Sequence, residues 1–200
     1  MPINIPSFII GYHGCDKDVA EDVLSGKIPL KVSKNQHDWL GSGIYFWENN
    51  PRRAYQWAKE HVGKTTANVK NPYAIGAIIN PGYCLDLTEA SSLEIIKDTY
   101  KDLKEVYENQ GIDLPKNENV KGGDTDLLKR NLDCFVINAL HDTREIINNK
   151  IPFDSVRSPF FEGQRLYETS GFYEKAHLQI CVRNPSSIIG YFRIIEEGVF

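Results

Sequence analysis

Two separated stretches of this sequence carry residues suited to hydrogen-bonding a polar ligand. Tyr12-His13-Gly14 ends an apolar run, where an imidazole nitrogen can bond a sugar hydroxyl and a glycine can offer its own N–H and C=O. Later, Gly-Ser-Gly-Ile-Tyr-Phe-Trp at 41–47 places the small Gly43 beside the aromatic Tyr45. This pairing of accessible backbone with an aromatic ring favours a flat ligand with polar edges. Taken alone, the first stretch is more typical of a histidine with a structural role, and the second of a β-strand that follows a glycine turn.

Two further groups could complete such a site. A predicted helix at 52–62 carries Tyr55 and Trp57, either of which could supply a second ring, although a helix face packed on the core is the commoner use of such residues. Glu162 lies in Pro-Phe-Phe-Glu-Gly, where apolar neighbours and a glycine could hold a carboxylate at the mouth of a cleft. An ordinary surface acid is the alternative for Glu162.

The elements that must position these residues alternate between strand and helix patterns. Strands are predicted at 7–14, 74–79, 83–87, 177–183 and 188–195, with an extended segment at 153–161. Helices are predicted at 15–27 behind an Asp16 N-cap, at 52–62 after Asn50-Pro51, and at 91–109 and 124–147. A loop is expected at 28–40, and the turn residues at 80–82 predict that the two strands around them pair. The pattern predicts one α+β domain over 1–200 with a helical insertion at about 90–150.

Composition narrows the class of protein. With 41% hydrophobic residues, 25% charged residues and a net charge of −4, the chain is typical of a soluble globular domain and unlike a general nucleic-acid binder. No apolar run approaches the roughly 20 residues that span a bilayer, and no secretory signal is visible, so a cytoplasmic location without membrane partners is expected. The four cysteines lack metal or redox spacing and are predicted to be reduced packing residues, and no metal is expected.

The order of these motifs resembles the NAD-binding half of the ADP-ribosyltransferase superfamily. The likeness is greatest to the poly(ADP-ribose) polymerase and diphtheria-toxin branch, whose signature is His-Tyr-Glu. It covers residues 8–58, about a quarter of the chain, and again 177–194. The resemblance implies a split antiparallel β-sheet core and NAD as the substrate.

Individual residues acquire roles from this resemblance. His13 matches the histidine that bonds the adenine-side ribose, Gly14 the glycine that clamps the nicotinamide carboxamide, and Tyr45 the tyrosine that packs on the nicotinamide ring. A second stacking residue falls at Trp57, or less well at Tyr55, while Gly43 is expected to let the backbone approach the ligand. The loop 34–39 matches the segment that covers the adenosine of NAD.

The third signature residue departs from the family. Gln179 stands where the glutamate is expected, in the first of two late strands that resemble the family's strand pair. A glutamine can bond a ribose hydroxyl but supplies no negative charge to an oxocarbenium ion. Chain elongation is therefore not expected. Mono-ADP-ribosylation could survive if another carboxylate enters the site, and Glu162 is the candidate.

The resemblance thus implies transfer of ADP-ribose from NAD to a macromolecular acceptor, protein or nucleic acid, with release of nicotinamide. A toxin of a toxin–antitoxin or phage-defence system, with an antitoxin or immunity protein as partner, would fit it. Two alternatives stay open at this point. The chain could be a catalytically inactive NAD- or ADP-ribose-binding module, or an RNA 2′-phosphotransferase-like enzyme that uses Arg157 and Arg165 to contact phosphate.

Overall fold

A computed structural model of the chain describes residues 8–64, 68–119, 127–147 and 150–195. Its strands are β1 Ile9–Asp16, β2 Ile44–Glu48, β3 Pro72–Ile79, β4 Cys84–Asp86, β5 Asn117–Glu118, β6 Lys129–Arg130, β7 Ser155–Phe160, β8 His177–Val182 and β9 Ile188–Arg193. Its helices are α1 Lys17–Leu24, α2 Pro51–Glu60, α3 Ala90–Gln110 and α4 Asn131–Ile146. The α+β class predicted from the sequence is confirmed.

One seven-stranded sheet organises these elements, in the order β4-β7-β8-β2-β1-β3-β9. All neighbours are antiparallel except β4 and β7, which run parallel. Alternate residues of β2 and β8 enter different core clusters, because successive strand side chains point to opposite faces. Phe46 and Ile180 pack with α1 residues on one face, whereas Tyr45 and Cys181 pack with α4 residues on the other.

The sheet opens between β1 and β2. β1 pairs with β3 over its whole length, from Ile9 opposite Ile79 to Asp16 opposite Pro72. It pairs with β2 only at Gly11–Glu48 and Tyr12–Trp47. Beyond Tyr12 the two strands share no further ladder pairs, so His13 and Gly14 lie at the opening.

Local signals placed the first two helices correctly. Asp16 caps α1 by accepting a hydrogen bond from the Asp18 amide, and it also accepts from the Lys70 and Asn71 amides. Asn50 caps α2 by accepting from the Arg53 amide, with proline at the first helical position. α2 packs on β1 so closely that a Cβ on Gly14 would lie 2.1 Å from the Ala54 carbonyl oxygen. Glycine is therefore required at position 14.

Two predictions about strand pairing were wrong. The strands at 74–79 and 83–87 do not pair, since β3 lies between β1 and β9 while β4 pairs with β7. The connection between them instead bonds to distant segments, with Asn80 N–H donating to Ser187 and Tyr83 N–H to Asp154. The two late strands do not pair either, because β8 lies between β7 and β2 while β9 pairs with β3.

The inserted helices also differ from prediction. The helix expected at 124–147 begins at Asn131, because Lys129–Arg130 pairs with Asn117–Glu118 instead; residues 124–126 lie outside the described residues. The side-chain amide of Asn117 binds the start of α4: its oxygen accepts a hydrogen bond from the Leu132 N–H, and its nitrogen donates one to the Asp133 carboxylate. Within the described ranges, no helix is long and apolar enough to cross a membrane. The four cysteines are free thiols, as predicted.

Candidate ligand-binding and catalytic site

A cavity of about 400 Å³ lies where the sheet opens between β1 and β2. It brings together seven of the eight residues that the sequence analysis assigned to an NAD site, although they span 167 positions of the chain from 13 to 179. These are His13, Gly14, Gly43, Tyr45, Trp57, Glu162 and Gln179. Tyr55 is the residue of these eight that does not line it.

The two glycines contribute differently. On β1, the Ile10 carbonyl accepts from Asn49 N–H on the β2 side. Backbone groups alternate along a strand, so those of Gly14, four residues later, point to the same side. Because β2 has diverged there, the Gly14 N–H and C=O face the opening. Gly43 instead exchanges both backbone bonds with Ser33, so its N–H is not free to bond a ligand.

His13 is held in one tautomer. Its Nδ1 lies 2.8 Å from the Tyr45 carbonyl oxygen, which can only accept a hydrogen bond, so Nδ1 carries the proton. Burial lowers the pKa of the imidazole, outweighing the effect of that bond, and the ring is uncharged near neutral pH. Nε2 then carries a lone pair that can accept a hydrogen bond from a ligand hydroxyl.

Tyr45 presents its ring to the cavity while its hydroxyl holds the preceding turn. The hydroxyl donates to the Gly41 carbonyl at 2.6 Å and accepts from the Leu40 amide at 2.9 Å. Burial raises the pKa of the phenol well above its usual value, so it stays protonated. The ring face is the part of Tyr45 that a ligand can use.

Helix α2 turns one face toward the cavity. Arg53, Trp57 and His61 are spaced four residues apart and therefore lie on one side of the helix. Trp57 stacks on His61 with ring centroids 4.0 Å apart. Tyr55 lies two positions from Trp57, roughly on the opposite side of the helix, and does not line the cavity. Helix geometry thus selects Trp57 over Tyr55.

Glu162 enters the cavity from the loop after β7. Each of its carboxylate oxygens lies 3.4 Å from Nη2 of Arg53, and one lies 3.5 Å from Nε2 of His177. Arg53 is 6% exposed, and its guanidinium lies over the Trp47 ring at 5.6 Å. Its Nε and Nη1 have no hydrogen-bond partner among the described residues. A buried cation that is incompletely bonded holds Glu162 beside the cavity in ionic contact.

Gln179 lies one strand from Trp47, its partner in the β2–β8 ladder. Its amide nitrogen lies 3.0 Å from Nε2 of His177, whose Nδ1 in turn lies 2.7 Å from the Lys175 carbonyl oxygen. Burial lowers the pKa of His177 to about 4. The position at which the resemblance predicts an acid is therefore filled by a neutral amide bonded to a neutral imidazole, with Glu162 next to them.

The loop before β2 forms the opposite rim. Asn35, His37, Asp38 and Trp39, from the loop expected to cover adenosine, line the cavity together with Lys31 and Ser33. Asp38 shapes this loop by accepting from the Asn35 backbone amide at 2.9 Å and from its side chain at 3.2 Å. The indole of Trp39 donates to the Leu128 carbonyl, which joins the rim to the insertion.

Several residues that line the cavity escaped the sequence analysis. Arg53 and His61 could have been found, because they lie four residues before and after Trp57 on the predicted helix. Trp47 was assigned only as a strand residue, and its side-chain direction follows from the tertiary pairing with β8. Lys31 carries no local signal.

The basic residues proposed for phosphate contact lie elsewhere. Arg157 binds Glu48 at 2.6 Å and Asp86 at 2.8 Å, tying β7 to β2 and β4. Arg165 donates to the Ser170 carbonyl and lies over the Tyr173 ring at 5.0 Å. Neither lines the cavity. In the part of the chain that the structure covers, no group of three or more His, Cys, Asp or Glu side chains could hold a metal ion.

Comparison with known proteins adds one relative. An uncharacterized protein of Methanocaldococcus jannaschii is 28% identical over 193 residues, which cover 88% of this chain and 83% of the relative. The sequence matches no family profile, and no solved structure matches the chain.

Proposed function

We propose that this protein is a mono-ADP-ribosyltransferase that transfers ADP-ribose from NAD to a macromolecular acceptor. The observation that carries the proposal is the convergence of His13, Gly14, Tyr45, Trp57 and Glu162 on one cavity. A sheet that opens beside His13 and Gly14 also agrees with an ADP-ribosyltransferase type of fold.

The nicotinamide ring of NAD would lie between Tyr45 and Trp57. The Gly14 N–H and C=O, which face the opening, form a donor–acceptor pair that matches the oxygen and the amino group of a carboxamide. His13 would accept a hydrogen bond from a ribose hydroxyl through Nε2. The loop with Asn35 and His37 would cover the adenosine end.

The proposed reaction breaks the bond between the ribose C1′ and the nicotinamide nitrogen. The bonding electron pair leaves with nicotinamide, which departs neutral, and positive charge develops on the ribose as an oxocarbenium ion. A lone pair of the acceptor then forms the new bond to C1′, and the acceptor's proton passes to Glu162. The Glu162 carboxylate supplies the negative charge that Gln179 lacks. Gln179 bonds the nicotinamide-side ribose.

Nicotinamide release tests this proposal. The purified protein is incubated with NAD in the presence and absence of protein and RNA acceptors, and free nicotinamide is measured together with label transfer from adenine-labelled NAD. We expect release that depends on enzyme, with label on one acceptor class. Binding of NAD without release, with acceptors present, would identify an inactive binding module instead.

The Glu162→Gln variant tests whether the Glu162 carboxylate is needed for catalysis or whether any change in this loop lowers activity. We expect at least a hundredfold loss of nicotinamide release at saturating NAD, because the negative charge is lost while the side-chain shape is kept. Glu168→Gln, an exposed acid in the same loop, is the matched control and should change the rate less than twofold. Equal rates for wild type and Glu162→Gln would show that Glu162 is not the substitute acid.

The phosphotransferase alternative has less support. Its phosphate contacts were to come from Arg157 and Arg165, which are engaged within the fold away from the cavity. A 2′-phosphorylated RNA oligonucleotide incubated with the protein and NAD provides the direct comparison. Removal of the phosphate would favour this alternative over transfer to an unphosphorylated acceptor.

A further inference from the structure

Replacing the family's glutamate by Gln179 creates a problem of orientation. A carboxylate presents two equivalent acceptor oxygens, so either can bond a ribose hydroxyl. An amide has one acceptor end and one donor end, and its usefulness depends on which end faces the cavity. The neighbouring histidine, His177, decides this orientation.

The orientation follows from a chain of hydrogen bonds that starts at a group of known polarity. The Lys175 carbonyl can only accept, so Nδ1 of His177, at 2.7 Å, must be the protonated nitrogen. The ring is buried against Trp47 and Phe160, and its pKa of about 4 leaves Nε2 unprotonated near neutral pH. Nε2 is therefore an acceptor, and the group 3.0 Å away on Gln179 must be the N–H₂ end.

We propose that His177 is a positioning residue that turns the Gln179 carbonyl oxygen toward the cavity as a hydrogen-bond acceptor. This inference rests on the proposed function, in which Gln179 bonds the nicotinamide-side ribose. A glutamate at this position would supply both a hydrogen-bond acceptor and a negative charge, and an amide can supply only the acceptor. By fixing the amide orientation, His177 lets Gln179 present that acceptor to the ribose. Glu162, 3.5 Å from the same Nε2, supplies the charge. The two properties of one glutamate are thus divided between two residues that meet at His177.

A double-substitution experiment separates orientation from packing. His177→Phe keeps an aromatic ring between Trp47 and Phe160 but removes Nε2, so the amide can turn either end to the ribose. We expect nicotinamide release, measured as kcat/KM for NAD, to fall at least tenfold. In a Gln179→Glu background the same His177→Phe change should cost less than threefold, because a carboxylate needs no orientation.

Equal losses in the two backgrounds would mean that His177 acts only through packing, and the inference would be overturned while the proposed function stood. Absence of nicotinamide release from wild type would instead count against the proposed function. A second measurement does not depend on activity. Imidazole ¹⁵N shifts at pH 7 should show His177 protonated at Nδ1 and not at Nε2, and the reverse tautomer would overturn the inference directly.

Discussion

Tyr45 tests whether one side chain divides its structural and its ligand-binding roles between hydroxyl and ring. Tyr45→Phe removes the bonds to the Gly41 carbonyl and the Leu40 amide and keeps the ring. We expect the unfolding free energy to fall and the turnover of NAD to stay within twofold of wild type. Tyr45→Ala is a poorer test, because it also removes packing against the cluster that contains Leu40 and Cys181.

The expected loss of stability follows from the two hydrogen bonds. Each typically contributes about 1 kcal/mol net, and a buried group left without its partner costs somewhat more, so the total is about 2–3 kcal/mol. For a chain of this length that corresponds to a fall in Tm of about 4–12 °C. The measurement is urea unfolding followed by tryptophan fluorescence, with the m-value checked for constancy.

The exposed Tyr167, in the loop after β7, provides the control. Tyr167→Phe should change the unfolding free energy by less than about 0.5 kcal/mol. If Tyr45→Phe were as stable as wild type but inactive, the hydroxyl would act in the chemistry and the division of roles would be refuted.

Two other outcomes are expected. Trp57→Ala should weaken NAD binding, measured by calorimetry, at least tenfold, because it removes a ring that lines the cavity. Tyr55→Ala, on the other side of α2, should change NAD binding less than threefold. A larger effect of Tyr55→Ala than of Trp57→Ala would contradict the placement of the nicotinamide ring against Trp57. The unfolding free energy should also fall as the pH drops from about 6.5 to 4. Burial lowers the pKa of His177 and of His141 to about 4, so in this range the unfolded chain binds more protons than the folded chain. Each histidine contributes at most about 3 kcal/mol, and a series of urea unfolding curves that shows no dependence on pH over this range would contradict those pKa values.

The proposed catalytic carboxylate shows how much of the candidate site could be predicted from the order of the sequence motifs. Gln179 was identified as a departure because its strand resembles the one in which the ADP-ribosyltransferase signature places a glutamate. Glu162 was nominated from its apolar neighbours and the glycine that follows it, a local pattern that an ordinary surface acid can also have. The fold brings Glu162, and not Glu168, into the cavity beside Arg53 and Gln179.

Strand pairing also depends on contacts between distant segments, which local sequence patterns do not reveal. Turn residues at Asn80-Pro81-Gly82 correctly predicted a break between two strands, but the reversal that pairing requires is absent, because β3 and β4 run in the same direction and β4 pairs with β7 at the edge of the sheet. A strand's partner depends on which distant segments bury its faces. Adjacent position in the sequence was therefore an unreliable guide for both mispredicted pairs.

The sequence by itself determined the features that depend on near neighbours. The Asp16 and Asn50 caps act within a few residues, the His13-Gly14 strand end is a local pattern, and helical spacing relates Arg53 to Trp57. Only the tertiary structure decided which groups meet across long separations in the chain. The opening of the sheet after Tyr12, the choice of Glu162 and the orientation of Gln179 through His177 all depend on contacts between distant segments, which no local pattern encodes.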